Sequence, residues 1–202
     1  MLLPRRGFGL VGRLIFLPPR LVIRVSWWLI KFLFRRLRWL LRKFRKPQGP
    51  LDLTIEQIDC MGTGDGRAFE DYIANLYRAQ GLEAYTTTEL REMGKLPLSV
   101  MNQSGVGEQG VDVVVFVKTA EGKKKIIIQC KHYSSNVGNK AVQEITSAMR
   151  LYEAHKAVVI TNRYFTKPAK NLALANDVLL IGRNELPNLV KTAVNFHKKK
   201  VA

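Results

Sequence analysis

The chain has 202 residues with an apolar fraction of 47%, which suits one globular domain with an appendage rather than two full domains. Its formal net charge of +17 bears on partners rather than on fold, and it indicates nucleic acid or an anionic membrane surface. Its two cysteines, Cys60 and Cys130, are far apart in sequence, which excludes a disulfide framework and gives no zinc-ligand spacing.

The positive charge is concentrated in the N-terminal segment, residues 1–50. This segment holds 13 Lys and Arg and no acidic residue, whereas residues 51–202 hold 20 basic and 16 acidic residues, a net +4. Within residues 21–46, basic residues recur at spacings of three, four and seven, which places them in one stripe of a helix rich in Trp, Phe and Leu. The sequence therefore predicts a basic amphipathic helix, followed by a linker that ends near Pro50.

This helix has three possible partners: a membrane surface, DNA or protein. Charged residues interrupt every apolar run, so the pattern favours a helix that lies in an anionic membrane interface over one that spans the bilayer. A basic arm that grips DNA phosphates and a helix docked on protein remain alternatives. Because Arg also interrupts any secretory signal, we expect a cytoplasmic protein, held at the inner face of the cytoplasmic membrane.

Residues 51–202 are predicted to form one α/β domain. A helix at 67–80 precedes strands at 83–88, 111–118 and 124–131, with a polar connection at 89–107 and a turn at 119–122. Helices at 139–153, 167–176 and 184–196 then alternate with short strands at 157–160 and 178–181. The order αβββαβαβα predicts a mixed sheet with helices on both faces.

Polar residues interrupt the two apolar central strands. If these strands form a tight hairpin about the turn, Asp112 and Gln129 lie opposite each other. Lys131 shares the face of Gln129, and Cys130 points to the other face. Burying such groups is costly unless they serve each other or a ligand. The plainer alternative is a strand-end carboxylate with Lys131 as its salt-bridge partner.

Four blocks carry a family resemblance: GVGEQGVDVVV, IIIQCK, NKAVQEI and VVITNRYFTKPAKNLA. Together with the helix GRAFEDYIANLYRAQG, they resemble the catalytic domain of Mrr-type restriction endonucleases, a group of the PD-(D/E)XK nucleases with Gln in place of the first Glu. The resemblance covers about residues 63–189. It implies a restriction-endonuclease-like fold and a metal-dependent DNA endonuclease of restriction or defence type.

The resemblance also implies roles for individual residues. Asp112, Gln129 and the backbone carbonyl of Cys130 would hold Mg²⁺, for which Mn²⁺ can substitute, and Glu70 would act through bound water. Lys131 would orient or deprotonate the attacking water or stabilise the pentacovalent phosphate, and partial burial can lower the pKa of a lysine. Asp112, Gln129, Lys131 and Glu70 are thus the candidate catalytic residues.

DNA is the expected partner, and Ser134, Lys140 and Gln143 are candidate contacts to it. Glu108 stands where the family commonly shows Asp. A homodimer is a further expectation, because double-strand cutting commonly needs two active sites. The rival hypothesis is a catalytically inactive DNA-binding or adaptor module. Gln129 gives one carboxylate fewer for metal, whereas the retained Asp112, Lys131 and Glu70 favour the enzyme.

Overall fold

A computed structural model describes residues 31–33, 49–61, 66–101 and 110–201 of the chain. It divides into two compact units, Met1–Phe44 and Arg45–Ala202. In the first unit, residues 31–33 are helical and exposed, and the rest of the helix expected at 21–46 lies outside the described residues, as does Glu108. None of the described helices is long and apolar enough to cross a membrane.

The second unit alternates helices and strands along the described chain. Its helices are α1 (Ile55–Asp59), α2 (Arg67–Ala79), α3 (Thr87–Glu92), α4 (Leu98–Met101), α5 (Asn139–Leu151), α6 (Lys167–Ala175) and α7 (Leu186–Val201). Its strands are β1 (Glu83–Thr86), β2 (Val113–Thr119), β3 (Gly122–Lys131), β4 (Lys156–Thr161) and β5 (Val178–Ile181). Every expected helix and strand of the α/β domain is present, and the short helices α1, α3 and α4 are additional.

The segment after β1 differs from expectation. We predicted a strand at 83–88 and an irregular connection at 89–107, but the strand ends at Thr86 and a helix begins at Thr87. The Thr86 hydroxyl accepts a hydrogen bond from the Glu89 amide, and the Glu89 carboxylate accepts one from the Thr86 amide. This reciprocal capping box starts a helix where threonine content alone suggested a strand. The carboxylate of Glu89 is also paired with the guanidinium of Arg78 on α2.

The five strands form one mixed sheet in the order β1-β2-β3-β4-β5. The β1–β2 and β2–β3 pairs are antiparallel, and the β3–β4 and β4–β5 pairs are parallel. In the hairpin, Thr119 lies opposite Gly122 and Val113 opposite Ile128. The regular ladder ends at this pair, because the amide of Asp112 also donates to the carbonyl of Ile128, so the expected pairing of Asp112 with Gln129 is not part of the register.

Each face of the sheet covers its own apolar core. Val114 and Ile127 pack in a core with α3, α5 and α6, whereas Val113 and Ile128 pack in a core with α1, α2 and α7. Both parallel crossovers, through α5 and α6, therefore cover the same face. The carboxyl ends of β3, β4 and β5 meet at one edge of the sheet, which we call the site edge. The β2–β3 turn and the amino ends of β4 and β5 form the opposite edge, the turn edge.

Candidate active site

Asp112 closes the β2–β3 hairpin at the site edge. Its carboxylate Oδ2 accepts a hydrogen bond from the backbone amide of Cys130 at 2.6 Å. Its own amide donates to the carbonyl of Ile128 at 2.9 Å, and its carbonyl accepts from the amide of Thr87 at 2.9 Å. A side-chain oxygen thus takes the place of a backbone acceptor where the ladder ends. The Asp112 carboxylate is consequently held against the β3 backbone, between the positions of Gln129 and Lys131.

Gln129 is fully buried on the α5 face of β3. Its Nε2 donates to the Glu144 carboxylate Oε2 at 2.7 Å. Its Oε1 is buried, and no hydrogen-bond partner for it exists among the described residues. Gly110 has φ +73°, and a Cβ built there would lie 2.1 Å from Gln129 Nε2. The amide is therefore tightly enclosed on its nitrogen side, and no described residue donates to its oxygen.

Lys131 points to the same face as Gln129. Its Nζ lies 3.3 Å from Glu144 Oε2 and 5.9 Å from the centre of the Tyr133 ring. Partial burial lowers the pKa of Lys131, but the Glu144 carboxylate, Tyr133 and Asp112 together raise it more, so the pKa lies above its ordinary value. The lowered pKa that we considered from sequence is thus not what this geometry produces. Lys131 is an ammonium group here.

The opposite face of β3 carries Cys130 and brings Glu70 to the neighbourhood. Burial raises the pKa of the Cys130 thiol well above its ordinary value, the carboxylates of Asp112 and Glu70 raise it further, and Lys131 opposes them. The thiol is therefore protonated, and only the backbone carbonyl of Cys130 is a candidate metal ligand. Glu70, near the start of α2, is close enough for its charge to raise the pKa of the Cys130 thiol.

Of the three predicted DNA contacts, Lys140 lies beside this site. Lys140 is exposed on α5, and its Nζ is 3.8 Å from Glu144 Oε1. A cavity of about 110 Å³ opens between Lys131, Tyr133 and the first turns of α5, which contribute Lys140 and Glu144. Ser134 and Gln143 are both exposed, and no described contact joins either side chain to the site.

The loops of the site edge are fastened to α1 by polar contacts. Asn162 is buried, accepts a hydrogen bond from the Tyr133 amide at 3.0 Å, and donates to Asp59 Oδ1 at 2.8 Å. Arg183 donates to Asp59 Oδ2 at 2.8 Å. Partial burial raises the pKa of Asp59, but Arg183, Asn162 and Arg163 lower it more, so it lies below its ordinary value. These contacts hold the segments after β3, β4 and β5 in fixed positions beside Lys131.

Sequence reasoning missed Glu144, although a signal for it exists. The buried residues Ala141, Val142, Ile145 and Ala148 define the sheet-facing stripe of α5. Glu144 follows Ala141 by three residues and precedes Ala148 by four, so it borders that stripe. An acid at such a position needs a partner, and β3 supplies two in Gln129 and Lys131.

Among the described residues, no group of three or more His, Cys, Asp or Glu side chains is placed to hold a metal.

The mixed sheet, with its polar hairpin end, has the architecture of a restriction-endonuclease-like fold. A family model described as restriction endonuclease, Mrr_cat, matches residues 62–190. The chain belongs to this family, as the four sequence blocks suggested. Restriction endonucleases are DNA-cleaving hydrolases, and this is the class of activity that family membership supports.

Two solved structures illustrate the likeness. The restriction endonuclease MspJI, in complex with a 27-mer oligonucleotide, shares 18% identity over 73% of this chain and 32% of its own, with a TM-score of 0.44. The DNA modification-dependent restriction endonuclease AspBHI shares 16% identity over 76% of this chain and 40% of its own, with a TM-score of 0.47. The chain therefore spans less than half the length of either enzyme. No curated protein matches the chain.

Proposed function

We propose that the chain is a Mg²⁺-dependent DNA endonuclease of restriction or defence type, with Asp112, Gln129 and Lys131 at its centre and Glu70 beside them. The supporting observation is the hairpin end itself. There a carboxylate, an amide oxygen with no donor among the described residues, and an ammonium group converge in a member of a restriction endonuclease family. Polar groups so placed at an apolar sheet are costly unless a ligand uses them.

The donor set fits a hard divalent cation. The Asp112 carboxylate, Gln129 Oε1 and the Cys130 backbone carbonyl are the oxygen ligands that Mg²⁺ prefers, and Glu70 would hold a bound water. A buried amide oxygen to which no described residue donates carries a desolvation penalty, which a bound cation would remove. Such a cation would offset phosphate charge and provide an activated water for phosphodiester hydrolysis, with Mn²⁺ as a substitute.

Lys131 acts in this proposal as a cation and hydrogen-bond donor. Its Nζ, 3.3 Å from Glu144 Oε2, would orient the attacking water or stabilise the pentacovalent phosphate. Lys140 lies across the adjoining cavity and would bind a DNA phosphate. Ser134 and Gln143, both exposed, are the further proposed DNA contacts.

A plasmid-cleavage assay on the full-length chain tests the proposal. Asp112→Asn keeps an oxygen that can accept from Cys130 but removes the charge, and Lys131→Met removes the ammonium. Asp177→Asn and Lys156→Met are matched controls, because those two residues form an exposed pair at the turn edge. We expect each site variant to lower the cleavage rate by at least about 100-fold and both controls to cleave normally.

The plasmid should be supplied in modified and unmodified forms, each with Mg²⁺ and with Mn²⁺. DNA binding without cleavage under all of these conditions would refute the enzyme and favour the inactive DNA-binding or adaptor module. Equal loss in the site variants and in the turn-edge controls would show that cleavage does not depend on this centre.

We also propose that the chain is cytoplasmic and that residues 21–46 bind the anionic inner face of the cytoplasmic membrane. The support is the stripe of basic residues beside Trp, Phe and Leu in the sequence. Full-length protein should co-sediment with vesicles that contain anionic lipid but not with neutral vesicles. The variant with Arg35, Arg38 and Arg42 all changed to Glu should lose this binding. A variant that still co-sediments with anionic vesicles as the wild type does would refute the membrane proposal.

A homodimer would supply two active sites for double-strand cutting. Sedimentation of the full-length chain with and without DNA tests this, and a monomer under both conditions that still cuts both strands would contradict it.

A further inference from the structure

The Glu144 carboxylate is the common acceptor of Gln129 and Lys131, which we call the QxK pair. Its Oε2 accepts from Gln129 Nε2 at 2.7 Å and from Lys131 Nζ at 3.3 Å. We propose that Glu144 is a positioning residue that fixes the amide orientation of Gln129, so that Oε1 is offered to the cation bound by Asp112. This inference rests on the proposed function, because it assigns Glu144 a task at the same centre.

The chemistry of the contact fixes the orientation of the amide. An ionised carboxylate only accepts hydrogen bonds, whereas an amide carries a donor group and an acceptor group of nearly equal size. Gln129 must therefore turn Nε2 toward Glu144, and its Oε1 points away from that contact. A neutral amide at position 144 would accept from Gln129 or donate to it equally well, so that both orientations of Gln129 would become available.

Among the described residues, no second contact orients the Gln129 side chain. The side chain is fully buried, so bulk water does not select an orientation. Gly110 closes the nitrogen side, where a Cβ would lie 2.1 Å from Nε2 and 3.2 Å from Glu144 Oε2. No described residue donates to Oε1. The contact with Glu144 is thus the one described hydrogen bond of the Gln129 side chain.

The same carboxylate also places the lysine ammonium. Side-chain exposures of 20% for Lys131 and 30% for Glu144 put this pair partly out of water. Lys140 approaches the other oxygen, Oε1, at 3.8 Å from an exposed position. One carboxylate on α5 therefore sets the geometry of both residues of the QxK pair, which lie on β3. A residue that served only as a counterion for Lys131 would place the ammonium group without orienting the Gln129 amide. This difference makes the proposal testable.

An exchange of side chains separates positioning from simple charge. In Glu144→Gln the acceptor-only partner is lost. In Gln129→Glu two carboxylates face each other at hydrogen-bond distance and repel. In the double variant, Gln129→Glu with Glu144→Gln, the hydrogen bond returns with its direction reversed, and the charge moves to position 129. The summed charge at the two positions equals that of the wild type.

We would measure Mn²⁺ binding to the full-length chain without DNA, by calorimetry and by electron paramagnetic resonance, for the wild type and these three variants. Thermal unfolding of each variant would run alongside. We expect Glu144→Gln to weaken Mn²⁺ binding by about 10–100-fold, the size typical of residues that orient metal ligands. The double variant should bind Mn²⁺ at least as tightly as the wild type, because the ligand is oriented again and now carries charge.

Nuclear magnetic resonance gives a readout that needs no variant to fold. In the wild type, the side-chain amide protons of Gln129 should exchange slowly with solvent and shift downfield through their bond to a carboxylate. Rapid exchange of these protons would overturn the proposal.

Two results of the binding series would also overturn it. One is wild-type affinity in Glu144→Gln, and the other is a folded double variant that binds no better than Glu144→Gln. In either case the wild type still binds Mn²⁺, and the proposed function stands. A wild-type chain that binds no Mn²⁺, like Asp112→Asn, would instead overturn both proposals together.

Discussion

The two edges of the sheet hold their charged residues in different ways. At the turn edge, Lys156 and Asp177 pair at 2.7 Å, with side chains 57% and 84% exposed. At the site edge, Lys131 and Glu144 pair at the longer distance of 3.3 Å, but their side chains are only 20% and 30% exposed. The shorter pair is the one that water surrounds, so distance alone does not rank the two pairs by energy.

Burial decides what each pair contributes. An exposed ion pair contributes about 0–1 kcal/mol, because solvent screens it and both side chains lose freedom. A partly buried pair is more demanding, because removing one partner leaves a desolvated charge behind. The site edge also contains the fully buried Gln129, whose side-chain oxygen has no donor in the described part of the chain. The comparison teaches that the polar groups of the site edge are held in place at a cost, whereas those of the turn edge are merely solvated.

The largest expected difference between the edges comes from two glycines with positive φ. Gly110, at the site edge, has φ +73° and a Cβ there would lie 2.1 Å from Gln129 Nε2, whereas Gly122, in the hairpin turn, has φ +122° and open space around it. Gly122→Ala should cost only backbone strain, about 1–2 kcal/mol. Gly110→Ala adds overpacking of about 1–3 kcal/mol, for a total of about 2–5 kcal/mol.

Denaturant unfolding of both variants measures these free energies. The Gly110→Ala variant should also lose Mn²⁺ binding, because Gln129 must move. Equal destabilisation by the two substitutions would show that the Gln129–Glu144 pair is not confined as the geometry indicates.

A second pair of variants makes the same change at both edges. Asp59 accepts from Arg183 and Asn162 at the site edge, whereas Asp177 is exposed beside Lys156. Asp59→Asn should lower the free energy of unfolding by about 1–2 kcal/mol, since charge-assisted hydrogen bonds are lost. Asp177→Asn should change it by less than about 0.5 kcal/mol. A larger effect at Asp177 would contradict the comparison.

The contribution of Asp59 should depend on pH in one direction. Its pKa in the folded chain lies below the ordinary value of 3.8, so the unfolded chain takes up the proton first as pH falls. The stabilisation is complete above that ordinary value and is lost as pH falls through the lowered pKa. The difference in unfolding free energy between the wild type and Asp59→Asn should therefore be constant near neutral pH and shrink in acid. A difference that grows in acid would contradict a lowered pKa for Asp59.

The sequence predicted more of the sheet than of the site. Hydrophobic alternation and turn residues were sufficient to predict the succession of strands and the β2–β3 hairpin, because hairpin register follows from the turn. The expected pairing of Asp112 with Gln129 lies beyond the regular ladder, which ends at Val113 and Ile128. The start of α3 was missed because three threonines favour a strand, although Thr86 and Glu89 have capping-box spacing. A local signal was present there and was outweighed by residue propensity.

Glu144 was missed for a different reason. Its contacts with Gln129 and Lys131 span 15 and 13 residues and depend on how α5 lies across β3. Strand and helix periodicity predict which side of an element faces the core, but they do not give the rotation and offset between two packed elements. The direction of the Lys131 pKa shift was out of reach for the same reason, since it depends on the distance to Glu144.

Among the variants at the site edge, the smallest expected change in stability comes from Gln129, a fully buried polar residue. Gln129→Leu removes the hydrogen bond to Glu144, a loss of about 1–3 kcal/mol, but it also removes a buried oxygen that has no described donor, a gain of similar size. The free energy of unfolding should stay within about 1 kcal/mol of the wild type.

A substitution at a neighbouring residue on the same face of β3 provides a reference for the change in unfolding free energy. Ile127 is equally buried, and Ile127→Ala should cost about 2–5 kcal/mol because it leaves a cavity. Mn²⁺ binding should be lost in Gln129→Leu while its fold remains stable, as unfolding and calorimetry on the same samples would show. Destabilisation by Gln129→Leu as large as that by Ile127→Ala would mean that the amide stabilises the fold. A near-neutral change with lost binding would mean that the sheet tolerates Gln129 for the sake of a ligand.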